Sequence, residues 1–531
     1  MEERSPDQDL CFDEHTPLVV PFQNSQNEIS SRQDSSSMHS TKGNNTTKGF
    51  TLKRSMVIPM SVCYCFACGI HMYIVPQYVQ EVMKGSDEKE LPHQIKPPKE
   101  NLFQSPVNST FNACSYVNKS DPSYEKFTRV QQDTARWLID FNVALLLPAM
   151  FANLVWASFS DVFGRKFSLF LCLMSFTIRA TVFMLVVYFK LRLVFVIIGI
   201  IIDGLAGSFT SFNAVLFSFV SDISNTGRQR TIAIVVIELV TGLTYTVSSL
   251  VSGNLIEKYG FLFPSMAVSC LSGIGVLILL FLVPETKPNI RIQRQGSSML
   301  KSVTESVKFY FCDGSKIKRA KYILLMLGFF FMGIPALSRS TLEVLYQLGR
   351  PFCWTSTKIG WFGALKMAVA SLLGLGGVYV FKGCIADDTI TLYSLIFSTA
   401  AFIVEGLAKT DFALYSVTLI AAPSELPFPM IRSLMSCLTP AEKQGALFAS
   451  IGFVETLCSL IGSVSNNAVY SATLKIMNGF VFLLMAGLTL IGAFFILAFM
   501  VVQRRFSDYP VEVSPVADTT HTLVNSINDI S

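Results

Sequence analysis

Runs of roughly 20 apolar residues, the length a helix needs to cross about 30 Å of hydrocarbon, recur along most of this chain, and the pattern predicts about twelve membrane-spanning helices. Six fall near 56–80, 135–160, 167–189, 193–222, 231–256 and 261–284. Six more follow a polar gap, near 321–347, 358–381, 389–407, 412–432, 444–470 and 474–502. Pro148, Gly204, Gly207, Gly374, Gly376, Pro423 and Pro427 fall inside these runs. Membrane helices tolerate such residues where neighbouring groups re-satisfy the backbone. An even number of spans puts both termini on one side.

The layout predicts an all-α membrane protein of two six-helix bundles, 55–285 and 321–503. Around them lie a polar tail (1–54), a long loop after the first span (81–134), a central loop (286–320) and a short tail (504–531). The first fifty residues carry the Ser/Asn-rich run Asn24–Asn45 and no apolar core. They read as a disordered tail rather than a signal peptide, with the first span as an uncleaved anchor.

Composition narrows the class. Of the 531 residues 51% are hydrophobic and 15% charged, against about 25% charged in a soluble domain, so the chain has too little polar surface to face water all round. The net charge of +5 sits beside apolar spans, where it orients the protein in the bilayer and implies no nucleic-acid partner. Most of the 12 cysteines lie inside apolar runs and there are five histidines, so neither a metal nor a cofactor is expected. No nucleophile–base pairing or phosphate loop points to an enzyme.

The positive-inside rule assigns the sides. Lys53, Arg54, Arg165, Lys166, Arg228, Arg230, Arg504 and Arg505 flank one set of span ends, and the central loop is rich in Lys and Arg. Both termini and that loop are therefore expected in the cytosol and 81–134 outside. The outer segment holds Asn108 and Asn118, each in an N-glycosylation pattern. Cys114 in this segment and Cys353 in the loop after the seventh span are the two cysteines expected in an oxidising compartment, which predicts a disulfide between them, with two free thiols as the alternative.

The loop after the second span reads Ser160-Asp161-Val162-Phe163-Gly164-Arg165-Lys166. It resembles the Asp-x-x-Gly-Arg-Arg/Lys signature of the major facilitator superfamily, as does Pro284-Glu285-Thr286-Lys287 after the sixth. Gly164 permits a tight turn, Arg165 and Lys166 hold it on the inner side, and Asp161 can pair with a neighbouring helix end, so the loop is a candidate gate. Ala157 stands where the signature has glycine. A narrower resemblance lies in Leu345-Tyr346-Gln347-Leu348 with Pro351-Phe352-Cys353-Trp354 and Ile359-Gly360, in Ile431-Arg432-Ser433, in Gln444 to Phe448, and in Ser221 to Ser224 with Arg228 to Thr231. Together these look like solute carrier family 46, and the resemblance covers the first to the last span. It implies alternating access around a midplane site between the halves, a glycosylated first outer loop and an outer disulfide.

An ionisable group in hydrocarbon costs about 3 kcal/mol or more, so each is a functional candidate. Glu238 lies within the fifth span and Arg432 near the inner end of the tenth. The resemblance implies that Glu238 carries the proton and that Arg432 handles solute and proton. His71, the only histidine in a span, is a further proton-coupling candidate, with a hydrogen-bonded structural role as the alternative. Glu425, between Pro423 and Pro427, is placed at a broken helix lining the solute site. Ser208 joins that set, standing where the folate branch of the family has an acidic residue. Arg179, Asp203, Arg339, Glu343, Lys366, Glu405 and Glu455 are weaker candidates in or near spans.

Phe329 to Leu348 contains no histidine where the folate branch has one. The function expected is proton-coupled symport of a small, folate-like or conjugated organic anion. The alternatives are a proton-independent facilitator and a receptor or scaffold built on a carrier fold. The protein is expected in the plasma or lysosomal membrane, and Glu14-His-Thr-Pro-Leu18-Val19 resembles an acidic sorting signal.

Overall fold

Val194–Leu205 shows why these runs become membrane helices. One side (Val196, Gly199, Ile200, Asp203, Gly204) is buried, yet the opposite side (Ile198, Ile201, Ile202, Leu205) is exposed and just as apolar. A helix satisfies its own backbone groups, so such a segment is at ease only where lipid covers its outward face.

The computed structural model describes residues 56–88, 122–223, 228–286, 316–381, 385–439 and 444–505. In order, the first half is α1 Val57–Glu88, α2 Pro122–Phe163, α3 Arg165–Phe189, α4 Val194–Leu205, α5 Ser208–Ile223, α6 Arg228–Tyr259 and α7 Leu262–Phe281. The second half is α8 Lys316–Leu348, α9 Ser356–Phe381, α10 Asp387–Leu407, α11 Asp411–Ile420, α12 Pro427–Cys437, α13 Gln444–Thr473 and α14 Phe480–Arg505. Each of the twelve predicted spans falls on these helices. Among the described residues nine segments are long and apolar enough to cross a membrane. The remaining three predicted spans fall on α9, on α13, and on α11 with α12.

Three departures from the predicted spans have local causes. α1 runs on to Glu88 and α2 starts at Pro122, so 81–134 is partly helical. The outer turns of α2 are polar by sequence, but Thr128, Val130, Gln131 and Thr134 are buried there, and packing rather than hydropathy sets the helix start. The fourth span divides into α4 and α5 at Gly207, whose φ is +84°. A side chain there would be strained, and its Cβ would lie 2.5 Å from Asn153 Oδ1. The tenth span breaks at a 3-10 turn, Ala422–Glu425, where Pro423 and Pro427 cannot donate backbone hydrogen bonds.

One apolar core belongs to the first half and includes Tyr64, Phe176, Phe183, Phe212 and Phe219. A second lies in the second half, toward the ends assigned to the cytosol, around Tyr322, Phe329, Ile431 and Phe499. A third crosses between the halves near the ends assigned to the outside. It joins Tyr73, Ala135 and Leu138 to Leu342, Tyr346, Phe352, Trp354 and Phe362.

Hydrogen bonds reinforce that outer seam. Gln132 Nε2 donates to Ser471 O at 2.8 Å, Ser356 Oγ to Gln77 Oε1 at 2.5 Å, and the Thr357 amide to Glu257 Oε2 at 3.1 Å. Arg350 lies over the rings of Tyr124 and Phe127, at 5.0 and 5.7 Å. The halves are therefore closed on the side that the charge pattern assigns to the outside.

Between the halves, α6 and α9 cross closely. Ser249 Oγ donates to Gly360 O at 2.9 Å, and a Cβ at Gly360 would lie 2.7 Å from Ser249 O. Gly360→Ala is expected to destabilise the protein by about 1–3 kcal/mol through overpacking. A lowered thermal midpoint in detergent checks this. Gly273→Ala is the control: its Cβ meets nothing within 4 Å, and no drop is expected.

Candidate functional site

The inner signature loop is held by acceptors that lie elsewhere in the first half. Gly164 turns between α2 and α3 with φ +98°, which exposes the first amides of α3. Those orphan donors and the positive helix end suit an anion. Glu285 supplies it: Oε1 accepts from Arg165 N and Oε2 from Lys166 N, both at 3.1 Å. A Cβ at 164 would come within 2.6 Å of that carboxylate. Arg165 Nε donates to Asp222 Oδ2 at 3.1 Å, and Lys166 Nζ to Leu280 O at 2.9 Å.

Gly164 and Arg165 thus tie α3 to the ends of α5 and α7 within one half, while the side chain of Asp161 lies outside the described residues. Glu285 and Asp222 stand in stretches that the sequence marks only by resemblance. A glycine turn opening a helix needs a carboxylate partner, and that was the available clue. Glu285→Gln is expected to cost about 1 kcal/mol of local stability, read as about fivefold faster amide exchange in the first turn of α3.

Between the halves lies a polar layer. Arg432 on α12 forms an ion pair with Glu455 on α13, and its side chain is still 39% exposed. Glu238, on α6 in the other half, is exposed and within electrostatic reach of Arg432. The charges of Arg432 and Glu238, on opposite halves, act on each other. Asn153 on α2 links the same layer across the seam: Ser211 Oγ donates to its Oδ1 at 2.6 Å, and its Nδ2 donates to Thr456 Oγ1 at 3.1 Å. Asn153, Ser211 and Thr456 are uncharged and gave no signal in the sequence.

The other predicted site residues lie elsewhere. His71 is buried inside the first half, with its ring edge-on to Phe176 and Phe183 at 5.9 and 5.1 Å, away from the seam. Ser208 donates to Asp203 Oδ2 at 3.2 Å. Asp203 is buried and takes Arg179 at 3.0 Å, so Ser208 completes an ion pair between α3 and α4. Glu425 is exposed on the 3-10 turn, where its charge acts on Arg339. Solute-site candidates Arg432, Glu425 and Ser208 therefore do not form one cluster, and Arg432 is joined by Glu238 and Glu455 instead. Cys353 is disulfide-bonded to a partner outside the described residues. Cys114, Asn108 and Asn118 also lie outside them.

A second group of charges sits under the outer closure. Arg339 on α8 contacts Glu405 on α10 at 2.6 Å and Glu343 at 3.5 Å, and Lys366 on α9 pairs with Glu343. Glu343 and Lys366, with Tyr73 of α1 and Gln347, border a cavity with room for little more than a water. No group of three or more His, Cys, Asp or Glu side chains suited to a metal occurs among the described residues.

The sequence and the fold both have known counterparts. The family model described as Major Facilitator Superfamily matches residues 57–463. The lysosomal proton-coupled steroid conjugate and bile acid symporter of Gallus gallus is 27% identical over 440 residues, 82% of this chain and 92% of the relative. The human protein of the same name is 26% identical over 404 residues, 74% and 87% of the two chains. The proton-coupled folate transporter of Bos taurus is 27% identical over 387 residues, 73% and 83%. These relatives belong to solute carrier family 46, the family that the loops and the tenth span resemble.

Among solved structures, a peptide transporter in complex with sulfate aligns with a TM-score of 0.58 at 14% identity, covering 85% of this chain and 95% of that one. The human organic anion transporter TETRAN aligns at 0.54 and 15%, covering 84% and 99%. At such identities these two show the fold alone. The family match spans most of the chain, and the chain belongs to the Major Facilitator Superfamily.

Proposed function

We propose that this protein is a proton-coupled symporter of small amphipathic organic anions, of the steroid-conjugate, bile-acid or folate type, working by alternating access. The observation that carries the reading is the Arg432–Glu455 ion pair, with the charge of Arg432 acting on Glu238 of the other half. Arg432 stays charged throughout, and its planar fork suits a carboxylate or sulfate. In the structure Glu455 holds that fork, and the charge of Arg432 acts on Glu238. A solute anion must displace these carboxylates, and protonating one of them releases the guanidinium. Proton and anion thus bind together because both break the same ion pair, the proton taking a carboxylate and the anion the guanidinium. The carboxylates and Arg432 do no covalent chemistry.

In this account Gly164, Arg165 and Asp161 belong to the inner gate. The disulfide of Cys353 is proposed to run to Cys114 in the outer segment that carries Asn108 and Asn118. Solute enters from the lysosomal lumen or the cell exterior, with both termini cytosolic. The names of the relatives support the solute class, and their proton coupling supports the energy source. One pH unit supplies about 1.4 kcal/mol, and 100 mV adds about 2.3 kcal/mol per net charge moved.

Uptake of labelled taurocholate, estrone sulfate and folic acid into proteoliposomes tests the reading. An inward proton gradient is expected to raise the initial rate for at least one of them about tenfold per pH unit at most, and a protonophore to abolish the gain. Uptake of none of the three above empty liposomes would remove this solute class.

A further inference from the structure

We propose that Glu343 and Glu405 form a second proton-binding site, separate from the Glu238–Arg432–Glu455 layer, whose access is set by the outer closure. The proposal rests on the symport reading above and adds a loading site to it. Among the described residues, these charged or titratable groups surround the pair. From α8 come Arg339, which contacts both carboxylates, and Tyr346, whose hydroxyl donates to Glu405 O at 3.2 Å. From α9 comes Lys366, paired with Glu343. The 3-10 turn contributes Glu425, whose charge acts on Arg339, and α1 contributes Tyr73, whose hydroxyl feels Glu343. Among the described residues, α14 brings Gly479, Phe482 and Leu483 to this level, none of which titrates.

One feature points to a proton. Glu343 and Glu405 lie within hydrogen-bonding reach of each other, yet Glu343 Oε1 and both oxygens of Glu405 are buried without a hydrogen-bond partner, with the Arg339 guanidinium as their ion-pair neighbour. Two acceptors facing each other in a dry site attract only when one carries a hydrogen. Arg339 and Lys366 match the two buried carboxylates in charge, and the exposed Glu425 adds a negative charge that acts on Arg339.

Access follows from position. The small cavity bordered by Glu343 and Lys366 is walled on one side by the first half, through Met72 and Tyr73. Parting the halves on the outer side removes that wall and admits outer water to Glu343. Closing them seals the proton in. Loading is a simple protonation: a carboxylate oxygen forms an O–H bond, and the proton comes from outer water.

Infrared difference spectra of the purified full-length protein in lipid vesicles, free of solute, test the site between about pH 5 and about pH 8. A protonated-carboxyl C=O band that titrates in the wild type is expected to be lost in Glu405→Gln and in Glu343→Gln. Glu425→Gln, on an exposed side chain, removes a neighbouring negative charge and is expected to move the midpoint to lower pH by about one unit at most, up to a tenfold weaker proton affinity. The proposal is overturned if the wild type shows no such band. It also fails if the Gln variants at 343 and 405 keep the band, or if Glu425→Gln leaves the midpoint in place. The spectra need no solute, so failure of taurocholate, estrone sulfate and folic acid to be transported would overturn the symport reading without touching this result.

Discussion

Arg432→Ala is expected to cut solute uptake by about 30- to 100-fold at equal protein level, a loss of roughly 2–3 kcal/mol. Two effects combine. The substitution removes the cation that would meet the solute anion, and it leaves Glu455 without its ion-pair partner and Glu238 without the cation whose charge acts on it. Removing one member of a hydrogen-bonded ion pair can cost up to about 5 kcal/mol, but the Arg432 side chain is 39% exposed, and water screening brings the figure to the lower end. Arg432→Lys keeps the charge and loses the planar fork, so an intermediate loss of about tenfold is expected. Initial rates of labelled taurocholate uptake, normalised to reconstituted protein, read both. Equal rates in all three proteins would remove Arg432 from solute handling.

Arg339→Met carries the other large effect, on folding. Arg339 is almost fully enclosed, with its guanidinium against Glu405 and Glu343 and over the ring of Phe402 at 5.1 Å. Taking it away leaves two carboxylates inside the second half with Lys366 as the only neighbouring cation named there, and breaking such a buried pair from one side costs about 3–5 kcal/mol. The variant is expected to give little monodisperse protein in detergent. Adding Glu405→Gln removes the uncompensated charge and is expected to recover most of the yield, a coupling that a double-mutant cycle measures. If the single variant is as stable as wild type, the cluster contributes nothing to the fold.

Hydropathy made the spans legible, because bilayer thickness fixes the length of any helix that crosses it. The break in the tenth span was legible too, since Pro423 and Pro427 remove donors wherever they sit. The outer turns of α2 were not. Residues 122–134 are polar in sequence, and they are helical because Gln131 and Gln132 find partners in the other half, Leu345 O and Ser471 O. Such partners are hundreds of residues away along the chain and leave no local trace.

The site was legible as charge and not as partnership. Glu238 and Arg432 stood out because hydrocarbon is hostile to them, and the charge of Arg432 acts on Glu238 across the halves. His71 stood out for the same reason but is enclosed by Phe176 and Phe183, where ring packing explains its presence. Glu455 was one intramembrane acid among several, and only the approach of α12 to α13 makes it the partner of Arg432. Asp203 likewise looked like a separate charge until Arg179, Ser175 and Ser208 closed around it.

The central claim is that a carboxylate on one half and a guanidinium on the other share a solute between them and trade it for a proton. Glu238→Gln tests it most directly, by the ratio of labelled taurocholate uptake with an inward proton gradient to uptake without one. The account expects the wild-type ratio to exceed one clearly and the Gln variant to fall to a ratio near one, while exchange of taurocholate at equal pH on both sides stays within about twofold of wild type. A Gln variant that kept the full gradient response would contradict it.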